Sequence, residues 1–254
     1  MNGDIQSSID DLLRPRVIVC AAAAYSDGTE HCLDLATART IIRITRTNAC
    51  VINTPRRLEK VPEASLLVSD LIDAFADPFH VVPFLNTSRA TSSAQAQEMI
   101  ECALPTLDEL GAEFHRASLF KLEVLDRELR VLDDETLQCL RRLETSVRQR
   151  TIPILTPDPG VIGEAIILGC PAVRLLSGRI GQQTGILDRS AVSDAICRAQ
   201  GRPVILEGGI DTAEHIYDSA GLGAVGVLMN SAFRLASDPI ARATEIRKAA
   251  DDAW

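Results

Sequence analysis

From residue 17 to the end, short apolar runs take turns with amphipathic stretches, and this alternation limits the fold more than any other feature of the chain. VIVCAA (17–22), ACVINT (49–54), HVVPFL (80–85), SLFKLEV (118–124), TIPIL (151–155), AVRLL (172–176), RPVILEG (202–208) and AVGVLMN (224–230) read as strands. Most of these runs do not alternate apolar with polar residues, as expected when both faces of a sheet are covered. Between them the periodicity predicts helices over 29–39, with 41–44 extending the first, and over 92–103, 133–148, 158–168, 188–199, 211–220 and 237–250. The stretch 65–76 suits either a short helix or a strand followed by one. Strand–helix units repeated over about 250 residues imply a single (β/α)8 TIM barrel. A doubly wound open sheet is the alternative, but no GxGxxG follows the first strand, so dinucleotide binding lacks its fingerprint. The expected organisation is a polar N-terminal extension, 1–16, followed by the barrel, 17–254.

Charge and cysteine usage remove several classes of function. The net charge of −9 argues against a protein that coats nucleic acid, while leaving room for a local pocket for a small phosphate. The seven cysteines form no CxxC pair and suit reduced thiols in a cytoplasm better than a zinc site. MNGDIQSSIDDLLRPR is acidic before its first basic residue, unlike a secretory or mitochondrial leader. No apolar run approaches the roughly 20 residues of a membrane span. The expectation is a cytoplasmic protein with no membrane and no nucleic-acid partner.

In a barrel, chemistry gathers at the carboxyl ends of the strands. Lys121 and Glu123 lie two apart on strand four, so a strand sets them side by side on one face. A lysine placed there can form an imine with a carbonyl substrate. The same pair also describes a structural ion pair. Glu207 ends strand seven, where a carboxylate is costly to bury unless paired or used. Two carboxylates facing one lysine across the mouth would make an acid/base set. Asn86 and Thr87 follow strand three, Asn230 and Ser231 follow strand eight, and Arg56 and Arg57 follow strand two, within reach of an anionic substrate. SGRIGQQTG (177–185) and Gly208–Gly209 are glycine-rich late loops, which bring backbone amides close to an anion. With NSA (230–232) after strand eight they make three adjacent loops, which favour a phosphorylated substrate over plain turn glycines. His31, His80, His115 and His215 receive no role.

These segments resemble the thiazole synthase family, the (β/α)8 proteins that make thiazole phosphate in thiamin biosynthesis. VILEGGIDTAEHIYDSAGLGAVGVLMNSAF (204–233) looks like that family's strand seven to strand eight unit, SGRIGQQTGIL like its glycine-rich loop, and FKLEV like its Schiff-base lysine segment. PFLNTSRATSSAQAQ resembles its loop and helix after strand three, and together these segments span roughly residues 80–250. The resemblance implies that Lys121 forms the imine, that Glu123 and Glu207 move protons, and that Gly185, Gly209, Asn230 and Ser231 hold the phosphate. Glu207 stands where the family usually has aspartate. The resemblance further implies a ubiquitin-like sulfur-carrier protein with a C-terminal Gly-Gly thiocarboxylate as partner, a homo-oligomer, and neither cofactor nor metal. CAAAAYSDG (20–28) and INTPRR (52–57) depart from the family around the substrate mouth. Those departures resemble the 2-thiosugar synthases of antibiotic pathways, which add carrier sulfur to a hexose phosphate. Thiazole phosphate synthesis from 1-deoxyxylulose 5-phosphate and a catalytically idle, carrier-binding barrel are the alternatives. Imine formation needs an uncharged lysine, and Glu123 alone favours the protonated form. Desolvation or a nearby cation has to supply the difference.

Overall fold

The computed structural model describes residues 2–20, 33–53, 71–75, 81–87, 90–110 and 117–254. Among them run eight strands: β1 (Val17–Val19), β2 (Ala49–Asn53), β3 (Val82–Asn86), β4 (Leu119–Leu122), β5 (Thr151–Leu155), β6 (Val173–Leu176), β7 (Val204–Glu207) and β8 (Gly226–Met229). All pair in parallel, in the order β1-β8-β7-β6-β5-β4-β3-β2. This is the strand order of a (β/α)8 barrel. At the seam between β1 and β2 a side chain joins the strands. The buried Thr47 Oγ1 accepts from the amides of Val19 at 3.3 Å and Ala49 at 3.4 Å.

The helices are α1 (Asn2–Leu13), α2 (Leu35–Thr45), α3 (Ser93–Leu110), α4 (Asp133–Arg142), α5 (Thr145–Arg148), α6 (Pro159–Ile167), α7 (Arg189–Arg198), α8 (Ala213–Gly221), α9 (Ser231–Arg234) and α10 (Pro239–Ala253). Aspartates start many of them. Asp34, Asp158, Asp188 and Asp238 each accept from backbone amides of the first turn, and Pro159 and Pro239 take the first helical position, where a missing N–H costs nothing. The predicted helix over 133–148 is two helices. Leu143 turns extended at ψ 145° and is buried, which ends α4, and Glu144 starts α5. The predicted helix over 92–103 continues to Leu110 through Pro105. Of the helix expected over 29–39, residues 29–32 lie outside the described residues; α2 starts at Leu35, after its cap Asp34. Within 65–76, the described residues show one 3-10 turn, Ile72–Ala74.

Two apolar layers result. The outer one lies between strands and helices and includes Val17, Val19, Phe120, Leu122 and Leu155. The inner one fills the barrel with Ile18, Val51, Phe84, Leu119, Ile152, Ile205 and Leu228. Residues 2–13, expected as part of a polar extension, fold as α1 and send Ile9, Leu12 and Leu13 into this inner layer. Their spacing is that of one helical face. The same layer contains Ala49, Val82 and Leu119, the first residues of their strands, so α1 closes the amino end of the barrel. The Asn48 side chain fixes it there by donating to the Asp11 carbonyl at 2.9 Å. Among the described residues, no helix is long and apolar enough to cross a membrane.

Candidate active site

Parity decides which side chains enter the barrel. On β4, Leu119 belongs to the inner layer, so Lys121 and Glu123 point inward with it. On β7, Ile205 is inner, which turns Glu207 inward; on β6, Ala172 does the same for Arg174. Lys121 pairs in register with Asn86 on one side and Ile152 on the other. Four charged groups therefore meet above the apolar floor, each on a different strand except the Lys121–Glu123 pair.

The four are closely connected. Lys121 Nζ donates to Glu123 Oε1 and, at 3.3 Å, to Glu207 Oε1. Arg174 Nη1 donates to Glu207 Oε2 and, at 3.2 Å, to Glu123 Oε1. Arg174 also donates from Nη2 to the Leu122 carbonyl at 2.7 Å and from Nε to the Ile152 carbonyl at 3.3 Å, and its guanidinium stands 6.0 Å from the centre of the Phe84 ring. Lys121 is 3% exposed and Arg174 is 0% exposed, so neither is a solvated edge residue. Burial alone would raise the Glu123 carboxyl. The Lys121 and Arg174 charges and their hydrogen bonds outweigh it and hold that carboxyl below its ordinary value. Thr87 fixes the Glu123 backbone, accepting from its amide at 2.8 Å and donating to its carbonyl at 3.0 Å.

Two inward groups escaped the sequence reading. Arg174 is the single charge inside AVRLL, and its signal was a cation in an apolar strand that demands buried partners. Cys20, two residues after Ile18, lies in the inner layer at the end of β1. Burial pushes its thiol up to about 12, with Lys121, Glu207, Glu123 and Arg174 as the charges acting on it. At that value it is a neutral thiol, not a nucleophilic thiolate.

The late loops pack backbone against backbone. Ser177 N donates to Glu207 O at 2.8 Å, and Ser177 Oγ to Gly208 O at 3.0 Å. The Gly185 amide donates to Gly209 O at 3.1 Å, so Gly185 ties one loop to the next with the group that the sequence reading had offered to an anion. A Cβ on Gly209, at φ +79°, would stand 2.7 Å from both Gly185 O and Thr184 Oγ1. Asn230 precedes α9, and its buried Oδ1 has no hydrogen-bond partner among the described residues. Ser231 opens α9. His215 caps α8: its Nδ1 accepts from Asp211 N at 3.2 Å and Thr212 N at 3.4 Å, while Thr212 Oγ1 accepts from His215 N. Asn86, buried, sits beside Lys121 in the ladder. Arg56 lies outside the described residues.

Over residues 26–253 the sequence matches the family of the thiazole biosynthesis protein ThiG. The chain belongs to the thiazole synthase family. It is 30% identical to the thiazole synthase of Frankia casuarinae over 185 residues, 71% of this chain and 51% of that protein. To the thiazole synthase of Escherichia fergusonii it is 29% identical over 181 residues, 70% of this chain and 68% of that one. The chain spans between about half and two thirds of the length of the curated thiazole synthases it matches. Among solved structures, a chain of the Amycolatopsis orientalis BexX/CysO complex superposes with a TM-score of 0.73 at 23% identity, covering 94% of this chain and 88% of that one. A thiamine phosphate pyrophosphorylase from Pyrococcus furiosus follows at 0.57 and 13% identity, covering 93% and 95%. At these identities the likenesses concern the barrel fold.

Proposed function

We propose that this thiazole synthase family member transfers sulfur from a thiocarboxylated carrier protein to a sugar phosphate bound through Lys121. The observation that carries the reading is the Lys121 amine, buried at the carboxyl end of β4 between two carboxylates. The uncharged amine attacks the open-chain carbonyl of the sugar and expels water, forming an iminium that water hydrolyses at the end to free the product and Lys121. The iminium acidifies the adjacent C–H. Glu123 or Glu207 takes that proton and returns one, which leaves a ketone at the neighbouring carbon. The carrier thiocarboxylate adds its sulfur to this ketone, the resulting alkoxide takes a proton, and water then hydrolyses the S-acyl bond, releasing the carrier as its carboxylate and leaving the sulfur on the sugar. Gly209, Asn230 and Ser231 form the phosphate end of the site, with Gly185 setting the loop spacing. Asn86 faces the sugar beside Lys121.

A hexose phosphate is the preferred substrate, because the chain departs from the family pattern at 20–28 and 52–57, around the mouth, and keeps the lysine and the late loops. The solved BexX/CysO complex is of two proteins, which fits delivery of sulfur by a partner protein. Thiazole phosphate synthesis from 1-deoxyxylulose 5-phosphate is the second reading, favoured by the match to that family over residues 26–253. Reduction with cyanoborohydride in the presence of glucose 6-phosphate, fructose 6-phosphate or 1-deoxyxylulose 5-phosphate, followed by peptide mass spectrometry, tests the covalent step. A reduced adduct on the Lys121 peptide, absent in Lys121→Ala, is expected with a hexose phosphate. An adduct with the pentose alone would support the second reading. No adduct with any of the three would refute both.

A further inference from the structure

We propose that Arg174 is a positioning residue whose fixed positive charge lets the Lys121 amine give up its proton inside the barrel. The inference deepens the imine reading of Lys121 and rests on it for its catalytic meaning, though not for its test.

The argument begins with a count of charges. Protonated Lys121, Arg174, Glu123 and Glu207 sum to zero. When Lys121 loses its proton, one surplus negative charge remains in a buried site. Without Arg174 the same step would leave two, held on carboxylates that have almost no water around them. Neighbouring carboxylates favour the charged form of an amine. Chemistry that begins with a lone pair on nitrogen therefore needs a second cation, and it must be one that does not itself titrate. A guanidinium keeps its charge throughout the working pH range, while an ammonium need not.

Geometry assigns that duty to Arg174. Its Nη1 donates to one oxygen on each glutamate, including the Glu123 Oε1 that also receives Lys121. The two cations thus compete for a shared acceptor. Its other nitrogens grip the Leu122 carbonyl, next in sequence to Lys121, and the Ile152 carbonyl, on the residue paired with Lys121 in the ladder. All three guanidinium nitrogens are therefore committed, and the charge stays fixed relative to the amine. Complete burial keeps Arg174 from reaching a substrate at the mouth, so it acts through the carboxylates. Among the described residues, the other ionisable group acting in this cluster is the Cys20 thiol, neutral at ordinary pH. Asn86 and Ile152, which flank Lys121 on β3 and β5, carry no charge.

The size of the effect follows from the shared acceptor. Two nitrogens that contact one oxygen are no more than roughly 6 Å apart. At an effective permittivity of about 20, a unit charge at that distance moves a titration midpoint by about one to two pH units.

The chain has only three lysines, Lys60, Lys121 and Lys248, which makes a direct titration practical. NMR of protein labelled at lysine 13Cε follows each amine against pH without any substrate, with Lys121 identified by its loss in Lys121→Ala and Lys248, exposed on α10, as reference. Arg174→Met is expected to raise the Lys121 midpoint by about one to two units, or out of the accessible range, and to slow cyanoborohydride trapping at pH 7.5 by about ten- to a hundredfold. Glu207→Gln is expected to lower the midpoint, and Arg174→Met/Glu207→Gln to return it close to the unsubstituted protein. That double variant removes one charge of each sign and so keeps a measurable fold if Arg174→Met alone does not. Arg174→Lys is expected to keep the midpoint near that of the unsubstituted protein. A Lys121 midpoint that is the same in Glu207→Gln and in the double variant would overturn the proposal. Normal titration shifts without any trapped adduct would instead uphold the electrostatic assignment and refute the imine chemistry.

Discussion

Replacing Lys121 by methionine keeps the length of the side chain and removes one charge from a neutral cluster, and the stability it costs should shrink as pH falls. At ε of about 20 the attraction between Nζ and Glu207 Oε1, 3.3 Å apart, is about 5 kcal/mol before desolvation is subtracted. Removing one member of a buried pair costs about 3–5 kcal/mol in total, because the remaining charge is left without its partner. A domain with about 5–15 kcal/mol of stability survives that loss, so the variant is measurable. The sign comes from Glu123. In the intact protein its carboxyl lies below its ordinary value of 4.5, so its contribution is present above pH 4.5 and fades as pH falls through the lowered value. Without Lys121 only Arg174 opposes burial, and the carboxyl is expected to rise above its ordinary value. Its contribution is then present at low pH and fades as pH rises through the raised value. The difference between the two proteins should therefore be about 3–5 kcal/mol at pH 7.5 and shrink toward pH 5, by up to about 1.4 kcal/mol per pH unit. Urea unfolding followed by the single tryptophan, Trp254, whose Nε1 donates to Ala224 O at 2.9 Å, gives both values. An equal difference at pH 5 and pH 7.5 would show that the glutamates do not carry the surplus charge.

Two further outcomes follow from other parts of the barrel. A Cβ on Gly178 would press on Gly185 O and stand 3.0 Å from Gly208 O, so Gly178→Ala should separate the loops after β6 and β7 and weaken sugar-phosphate binding by about tenfold or more, at a stability cost of about 1–3 kcal/mol; calorimetric titration and a urea midpoint measure the two. The thiols of Cys20, Cys50, Cys139 and Cys170 are each pushed by burial from 9.0 to about 12, so their contribution is intact below pH 9 and lost as pH rises toward 12, at up to about 1.4 kcal/mol per unit for each; Cys50→Ala should make the alkaline fall in urea midpoint shallower.

Strand positions were legible because each is a short apolar run that the barrel buries on both faces. Lys121 and Glu123 were legible together because the two-residue period of a strand is local information. Glu207 could be suspected as a carboxylate ending an apolar strand, but its 3.3 Å approach to Lys121 exists only once β4 and β7 face each other across a closed barrel. Arg174 was hidden for the same reason. Its partners lie 51 and 33 positions away in sequence, and its local trace is a lone cation in an apolar strand. Gly185 illustrates a different limit. A glycine-rich loop offers amides, and only tertiary packing decides whether a given amide is left for a ligand or used by a neighbouring loop. The break at Leu143 likewise reflects burial, since the charge pattern of 133–148 suits one continuous helix as well as two.

The slot that receives α1 has a consequence for how the chain is made. Inner residues at the amino ends of several strands line it, and Val225, just ahead of β8, packs against the same layer. α1 precedes these strands in sequence and can be buried fully only once residue 225 has emerged. When it docks, α10 is there to meet it: Arg247 Nη1 donates to Pro15 O at 2.7 Å and to Thr45 O at 3.2 Å, and Arg16 Nη1 donates to Val225 O at 3.1 Å. Docking of α1 is thus tied by these hydrogen bonds to α10 and to the start of β8. Until that step, the Ile9, Leu12 and Leu13 stripe remains in water as a surface that a chaperone could hold.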